Sequence, residues 1–428
     1  MLNVVVLNGG RGAATFIPAL LARQGLHVTS VVNAYDDGKS TGEIRRRFGM
    51  LGPSDIRKVQ ELMLPGDDPD FQANLELFRF RFPVGYPHDA AVAEIAAFVD
   101  GRCQKLREMR FEGRKVRMSL EAALREFLRT LGPIEKVFGT PFNFSDCAMM
   151  NIVYAGSFLL FRRDMEQVTL FVNRLFKLRG TVLPTSIEDK KLMALRENGQ
   201  VLYSEAEIVE LRSNVRIENI YLLDNYVDRE RFDRLEVSEK RFYLQRHHCP
   251  VRVSDGVERA LRQADIIVYS AGTQHSSLYP TYMSTGLART ISYNKTALKV
   301  FVTNIGADYE TPNYKASDYV RGAYRYLNSA EPRAIPMQDL IDVILINQSH
   351  LKSSETYVQY DEQGFVDVPV RRIVDVFESA SSPGKHDGGK LVDKILELYE
   401  QASATSPRSY ECRSHLAHPQ ISQDRRWG

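Results

Sequence analysis

The sequence predicts an α/β protein with a mostly parallel sheet, a helical insertion and a small β-rich segment. Residues 3–25 show a buried strand, a glycine turn and an amphipathic helix, and residues 27–38 show a second strand that runs into a loop. This strand–helix–strand order is typical of parallel sheets covered by helices. Three later apolar segments, 264–272, 298–306 and 341–349, predict further strands. We therefore expect a Rossmann-like sheet.

The length and composition suit one α/β domain that carries insertions. The chain has 428 residues, of which 43% are hydrophobic and 26% charged, as in an ordinary globular protein. Residues 65–145 contain charge-rich amphipathic segments, which predict a helical insertion or cap. Residues 180–222 are β-rich, with a hairpin turn at Asn198-Gly199. We predict a single domain over residues 1–402 and a polar, flexible tail at 403–428.

Charge and cysteine usage narrow the class of function. The net charge of +2 is too small to indicate a nucleic-acid partner. The four cysteines are scattered and form no Cys-x-x-Cys pair, so we expect neither a zinc site nor a disulfide framework. No signal peptide is recognisable, and no apolar stretch approaches the roughly 20 residues that cross a bilayer. We expect a reduced, cytoplasmic protein without membrane or nucleic-acid partners.

Polar residues stand at the ends of the predicted strands. They are Asn8, Asn33, Ser270, Asn304 and Asn347. In an open parallel sheet the carboxyl ends of the strands line the ligand crevice. All five residues are therefore predicted near one rim, where asparagine suits polar ligand contacts or helix capping.

A glycine-rich turn follows the first strand. It consists of Gly9, Gly10, Arg11 and Gly12. Such a turn at the start of a helix presents backbone amides and the helix dipole to an anion, which predicts phosphate or nucleotide binding. It is an incomplete dinucleotide fingerprint, because Thr15 stands where the third glycine belongs, and this argues against an NAD(P)-dependent oxidoreductase. A purely structural tight turn is the alternative.

The loop after the second strand reads Asp-Asp-Gly-Lys-Ser-Thr-Gly, residues 36–42. Its Gly-Lys-Ser-Thr letters resemble the end of a P-loop, but Asn33 occupies the position of the opening glycine, and acidic side chains would repel a phosphate. Asp36 and Asp37 could instead hold a divalent cation, or one could act as a general base. Otherwise one aspartate caps the next helix and the other is solvated.

Two further segments carry candidate ligand contacts. In residues 51–58, Arg57 and Lys58 fall in the first turn of a predicted helix capped by Ser54 or Asp55. Cations there oppose the helix dipole unless they face an anion, although a solvated basic face is equally consistent.

In residues 270–280, backbone amides and hydroxyls again follow a strand and suit a diphosphate. They belong to Gly272, Thr273, Ser276 and Ser277. His275 either assists a proton transfer or is a surface histidine.

These motifs, in this order, resemble those of the CofD family of phospholactate transferases and its YvcK-type gluconeogenesis factors. The stretches "GGRG", "AYDDGKSTG" and "PSDIR" resemble the family's Gly-Gly-x-Gly, Ala-Asp-Asp-Gly-Gly-Ser-Ser-Gly and Pro-Gly-Asp-Ile-Arg. Later segments match in the same order, including "NYKASDYV" and "KHDGGKLVDKIL". The similarity spans roughly residues 3–398.

The resemblance implies a nucleotide-diphosphate site and a Mg²⁺-dependent transferase. CofD-type members pass a phosphoryl-linked acid from a guanosine nucleotide to a hydroxyl of a deazaflavin and release a nucleoside monophosphate. YvcK-type members bind UDP-sugars and act as regulators, which is the alternative function. The donor is therefore expected to be of guanosine or uridine type, and a homodimer is expected because family members often pair.

Carried onto this chain, the resemblance implies catalytic roles for Asp36, Asp37 and the added Lys39, with Mg²⁺ held by the two aspartates. The positions implied for nucleotide binding are Gly9, Gly10, Arg11, Gly12, Asn33, Ser40, Thr41, Asp55, Arg57, Asn151, Gly272, Thr273, Ser276, Ser277 and Asn304. Two departures leave the acceptor open. Residues near 84–140 are extra, and "DCAMMN" keeps only Asn151 of the family's Gly-His-Ser-x-Gly-Asn.

Overall fold

The computed structural model describes residues 1–10, 12–102, 114–348 and 356–405. Within them, seven parallel strands form the central sheet. These strands are β1 Leu2–Asn8, β2 Leu26–Val32, β3 Thr181–Pro184, β7 Ile266–Tyr269, β8 Leu298–Val302, β9 Val343–Asn347 and β10 Arg371–Asp375. Their order across the sheet is β10-β9-β8-β7-β1-β2-β3.

The strand order reverses between β1 and β7. From β1 the chain moves outward through β2 and β3, and from β7 it moves in the opposite direction through β8, β9 and β10. Val4, Val5, Val6 and Leu7 are fully buried, because helices cover both faces of the sheet. At such a switch point the loops that leave the strands diverge and open a crevice.

The helices cover the sheet and build the helical segment. Their bounds are α1 Ala13–Leu21, α2 Lys39–Phe48, α3 Ser54–Leu62, α4 Phe71–Arg79, α5 His88–Val99, α6 Arg114–Phe138, α7 Met149–Leu160, α8 Met165–Leu175, α9 Glu205–Glu210, α10 Arg229–Asp233, α11 Val237–Arg246, α12 Asp255–Gln263, α13 Tyr279–Tyr282, α14 Leu287–Tyr293, α15 Ala316–Asn328, α16 Met337–Leu340 and α17 Gly388–Thr405. A π-helical turn spans Gln274–Leu278, and a 3₁₀ turn spans Glu362–Phe365.

Residues 65–145 hold α4, α5 and α6, and α6 packs closely on α7. Gly156 permits this approach, because a Cβ there would stand 1.8 Å from the carbonyl oxygen of Ala123. Phe127, Phe142 and Phe144 fill the space between these helices and α2. The helical segment is therefore packed onto α2 through Phe48, the last residue of that helix.

A small lobe follows β3 and has its own hydrophobic core. Its antiparallel sheet has the order β5-β4-β6, formed by β4 Lys191–Arg196, β5 Val201–Leu202 and β6 Ile217–Leu223. Met193, Leu195, Tyr221 and Phe232 belong to a core cluster separate from that of the main sheet. Strands β11 Glu378–Ser379 and β12 Ser382–His386 form a separate hairpin.

The fold class predicted from the sequence is confirmed. The predicted apolar segments contain β7, β8 and β9, and the predicted β-rich segment contains β3 to β6. Most of the tail predicted at 403–428 lies outside the described residues, which end at 405. No described helix is both long and apolar enough to cross a membrane.

Candidate functional site

A cleft of about 340 Å³ opens at the switch point, beyond the carboxyl ends of β2 and β7. Its walls come from the loop into α2, the start of α3, the helical segment, α9 of the small lobe, and the turn after β7. The lining residues are Asp36, Gly38, Ser40, Thr41, Ser54, Asp55, Lys58, Arg81, Asp146, Glu205, Ala206, Val209, Glu210, Thr273, Ser276 and Ser277. Seven of the positions predicted for the site therefore meet here: Asp36, Ser40, Thr41, Asp55, Thr273, Ser276 and Ser277.

The N-terminus of α2 lies in the wall of this cleft. The helix begins at Lys39, after Gly38, with no side-chain cap and no acidic residue in its first turn. Uncapped N-terminal amides and the helix dipole favour an anion. Thr41 hydrogen bonds to Ser54 and ties α2 to α3. The Lys39 side chain, like the whole of Arg11, lies outside the described part of the chain.

The two adjacent aspartates face different spaces. Asp36 lines the cleft, where its Oδ1 accepts from the Gly38 amide at 3.0 Å. Asp37 lines a neighbouring cavity, and its Oδ1 accepts from the Ala206 amide of α9 at 3.1 Å. Burial raises the pKa of both carboxyls, and for Asp36 the charge of Asp55 adds to the effect. The aspartates therefore do not form a shared pair at one site.

The glycine turn supports the cleft from behind rather than lining it. The Gly10 amide donates to Asp55 at 3.3 Å, so a side chain already occupies this predicted phosphate donor. Added Cβ atoms would stand 2.7 Å from the Ser277 Cβ at Gly9 and 2.2 Å from the Ala271 carbonyl oxygen at Gly12. These glycines let the turn pack against α3 and against the loop after β7.

Of the cations predicted for the site, Arg57 does not line the cleft. Arg57 is buried and donates to the Phe78 carbonyl at 2.7 Å, and burial lowers its pKa. Lys58 and Arg81 line the cleft instead, and Lys58 pairs with Asp55 at 2.8 Å. Arg57 and Lys58 are adjacent on α3, and one residue of helix rotates a side chain by about 100°. For Arg81 the sequence held no local signal.

The hydrogen-bond donors of the turn after β7 are taken up by a carboxylate of the same chain. The amides of His275 and Ser276 donate to Glu310 at 2.8 and 2.9 Å, and the Ser276 hydroxyl donates to it at 2.5 Å. Glu310 is 2% exposed, and burial raises its pKa to about 8. The structure thus does not leave these donors free for the diphosphate that the sequence predicted here. Thr273 and Ser277 bond to each other at 2.8 Å and still line the cleft.

Two asparagines at the strand ends hold backbone segments in place by hydrogen bonds. Asn33 donates to the Ser276 carbonyl at 2.8 Å and accepts from the Tyr35 amide at 3.1 Å. Asn304 clamps the backbone of Gly272 with two bonds, at 2.9 and 3.0 Å. Neither asparagine lines the cleft.

Asn151 differs from the other predicted asparagines. It is fully buried on α7, and its Oδ1 and Nδ2 have no hydrogen-bond partner within the described chain. Asn151 does not line the cleft either, so its position does not support the predicted role in nucleotide binding.

The cleft carries more carboxylates than cations. The carboxylates that line it are Asp36, Asp55, Asp146, Glu205 and Glu210, and the cations are Lys58 and Arg81. Glu205 was not predicted from the sequence. It has no ion-pair or hydrogen-bond partner for its carboxylate among the described residues, and burial together with Asp36 and Asp55 raises its pKa well above the usual value. The described residues hold no group of three His, Cys, Asp or Glu arranged for a metal ion.

The fold and the cleft define an α/β protein with a polar cleft at a topological switch point. The model of the family described as 2-phospho-L-lactate transferase CofD matches residues 4–377. The chain therefore belongs to the CofD family, as its motifs predicted.

Relatives and solved structures agree with this family. A putative gluconeogenesis factor of Thermotoga maritima is 23% identical over 412 residues, covering 93% of this chain and 99% of the relative. A gluconeogenesis factor of Listeria monocytogenes is also 23% identical, covering 92% of this chain and 95% of the relative. A UPF0052-family crystal structure from Bacillus halodurans aligns with a TM-score of 0.63 at 19% identity, covering 92% of this chain and all of that one. The two structures share the same fold over nearly the whole chain.

Proposed function

We propose that the protein binds a nucleotide-diphosphate donor in the cleft and transfers a phosphoryl-linked small acid to an acceptor hydroxyl. One observation carries the proposal. The uncapped N-terminus of α2 faces the same cleft as Lys58, Arg81 and the Asp36 carboxylate. A helix N-terminus with two cations suits a diphosphate. Membership of a family described as a phospholactate transferase gives the reaction type.

The proposed reaction exchanges the phosphoanhydride bond of the donor for a phosphodiester bond to the acceptor. The acceptor oxygen bonds to the phosphorus that carries the acid, and the bridging P–O bond breaks. Its electron pair leaves on the nucleoside monophosphate. Lys58 and Arg81 neutralise the charge that develops on the phosphate oxygens. Asp37 takes the hydroxyl proton once its buried Oδ2 turns toward the neighbouring cavity, and its raised pKa makes it a stronger base.

Magnesium fits the cleft through Asp36 rather than through both aspartates. The Oδ2 atom of Asp36 has no hydrogen-bond partner among the described residues, and the carboxylates in the lining outnumber the cations. Asp37 fits less well, because one oxygen holds the Ala206 amide and the other is buried. Asp36, with Glu205 nearby, would hold Mg²⁺ together with phosphate oxygens, and the ion would supply positive charge that offsets this acidic lining.

A second candidate function is regulation by a bound nucleotide sugar without turnover. The names of the relatives favour it, since those described above are called gluconeogenesis factors. The same cleft would hold the diphosphate of the nucleotide sugar, and Asp37 would have no proton to accept.

Thermal unfolding with GDP, GTP, UDP, UDP-sugars, CDP, ADP and NAD, each with and without Mg²⁺, tests the proposal. A bound ligand raises the melting temperature with the logarithm of its concentration over its Kd. A Mg²⁺-dependent shift with a guanosine or uridine diphosphate, followed by release of nucleoside monophosphate in the presence of a hydroxyl acceptor, is the expected result. A metal-independent shift with UDP-sugars alone, without turnover, supports the regulator instead. A shift with NAD alone contradicts both.

A further inference from the structure

A second cavity, of about 470 Å³, lies beside the cleft. Ser40 and Asp146 line both spaces, so the two are adjacent along the first turn of α2. Asp36 lines the cleft and Asp37 lines the second cavity. A molecule in each space would therefore meet its neighbour beside the two aspartates.

The outer wall of the second cavity is built by two loops of the helical segment. Val84 lies in the loop between α4 and α5, and Asn143, Ser145 and Asp146 lie in the loop between α6 and α7. The Gly85 amide donates to the Ser145 hydroxyl at 2.9 Å, which joins the two loops.

This wall is also fixed to α2. Glu43 accepts from the Asn143 amide at 3.3 Å and pairs with Arg46 and Arg47 at 2.8 and 2.9 Å. Arg47 in turn donates to the Thr140 carbonyl at 2.7 Å. The cavity is thus held open by hydrogen bonds rather than by the ligand.

The chemistry of the lining restricts what fits. Val84 is the one apolar residue of the lining in the described chain, and no aromatic side chain lines the space. Each charge has a partner, because Arg46 pairs with Glu43, Arg81 bonds to Asp146, and Asp37 accepts from the Ala206 amide. The Asn143 side-chain amide and the Ser40 hydroxyl offer neutral hydrogen-bonding groups. A neutral, hydroxyl-rich molecule matches such a lining, and a flat aromatic ring would find no face to stack on.

We propose that the second cavity is the acceptor subsite and that it takes a small neutral polyhydroxylated molecule, such as a polyol or a sugar. The role of this subsite as the acceptor site rests on the proposed function. The binding of a polyol there does not depend on it. A hydroxyl held there lies beside Asp37, on the opposite side of the aspartate pair from the donor cleft. The acceptor is then chemically different from the deazaflavin that the family resemblance implied.

Saturation-transfer NMR on the full-length protein tests the subsite with glycerol, ribitol and glucose as polyols. Lumichrome, a flavin-type ring without the ribityl chain, serves as the flat aromatic probe. We expect signals from at least one polyol and none from lumichrome. Val84→Trp, which fills the mouth of the cavity, should reduce the polyol signal at least tenfold. Val137→Trp is the matched control. Both valines are 83% exposed, and Val137 lies on α6, outside the lining of the cavity. Asn143→Leu is a second variant that removes the amide.

The outcomes separate this inference from the proposed function. A polyol signal that Val84→Trp removes while Mg²⁺–GDP or Mg²⁺–UDP binding is unchanged supports the subsite. A polyol signal that survives both variants, a lumichrome signal that Val84→Trp removes, or no polyol signal at all overturns it. Absence of nucleotide binding with an intact polyol signal refutes the donor cleft and leaves the polyol subsite supported.

Discussion

The N-terminus of α2 and the 274–278 turn are two hydroxyl-bearing segments that each follow a parallel strand and border the same cleft. They differ in what satisfies their hydrogen-bond donors. The first turn of α2 has no side-chain cap, whereas the turn after β7 gives two amides and a hydroxyl to Glu310. The comparison teaches that such a segment is an anion site only when no carboxylate of the same chain already occupies it.

Removing Glu310 should have the largest effect on stability. Glu310→Ala leaves three donors in the 274–278 turn without an acceptor, which we expect to lower the free energy of unfolding by about 3 kcal/mol. Urea denaturation measures it. Glu362→Ala, at an exposed position, should change stability by less than about 0.5 kcal/mol. Equal effects of the two substitutions would show that Glu310 does not close the turn.

Filling the space between Gly12 and the loop after β7 should lower the free energy of unfolding somewhat less than Glu310→Ala does. Gly12→Ala would place a Cβ 2.2 Å from the Ala271 carbonyl oxygen, and the backbone must shift to relieve the contact. We expect a loss of about 2 kcal/mol. In the matched control, Gly66→Ala, the new Cβ meets no atom within 4 Å. A Gly12→Ala protein as stable as this control would contradict the close packing described for the turn.

On the α2 side, removal of Asp37 tests the link to the small lobe. Asp37→Ala removes the acceptor of the Ala206 amide, and we expect a loss of about 1.5 kcal/mol. Hydrogen exchange at α9 should quicken while exchange in the 274–278 turn stays unchanged. If both regions exchange faster, the two sides of the cleft are coupled rather than independent.

Stability should also depend on pH. Burial raises the pKa of Glu310 to about 8, so the folded state holds this proton more tightly than the unfolded chain. Stability is then fully present below the unfolded pKa and is lost as the pH rises toward 8. We expect the free energy of unfolding to fall between pH 5 and 8.5, by no more than about 1.4 kcal/mol for each pH unit. Glu310→Gln should flatten the curve, and an unchanged slope would assign the effect to Asp36 and Glu205.

Local features of the chain were predictable from the sequence, and partnerships across it were not. The strands β1, β2 and β7 were recognisable from apolar runs, and Asp36 and Thr41 of the predicted loop after β2 line the cleft. Glu310 was missed, because its partners lie 34 and 35 residues earlier and no local pattern links them. Glu205 was missed because it reaches the cleft from the small lobe.

Calorimetric titration of the wild type, Asp36→Asn and Asp37→Asn with GDP and UDP in the presence of Mg²⁺ tests the central claim most directly. Because Asp36 faces the donor cleft and Asp37 faces the second cavity, Asp36→Asn should weaken nucleotide binding at least tenfold, which is about 1.4 kcal/mol. Asp37→Asn keeps an acceptor for the Ala206 amide and should change the affinity less than threefold. The reverse pattern, with Asp37→Asn abolishing binding and Asp36→Asn leaving it intact, would contradict the account.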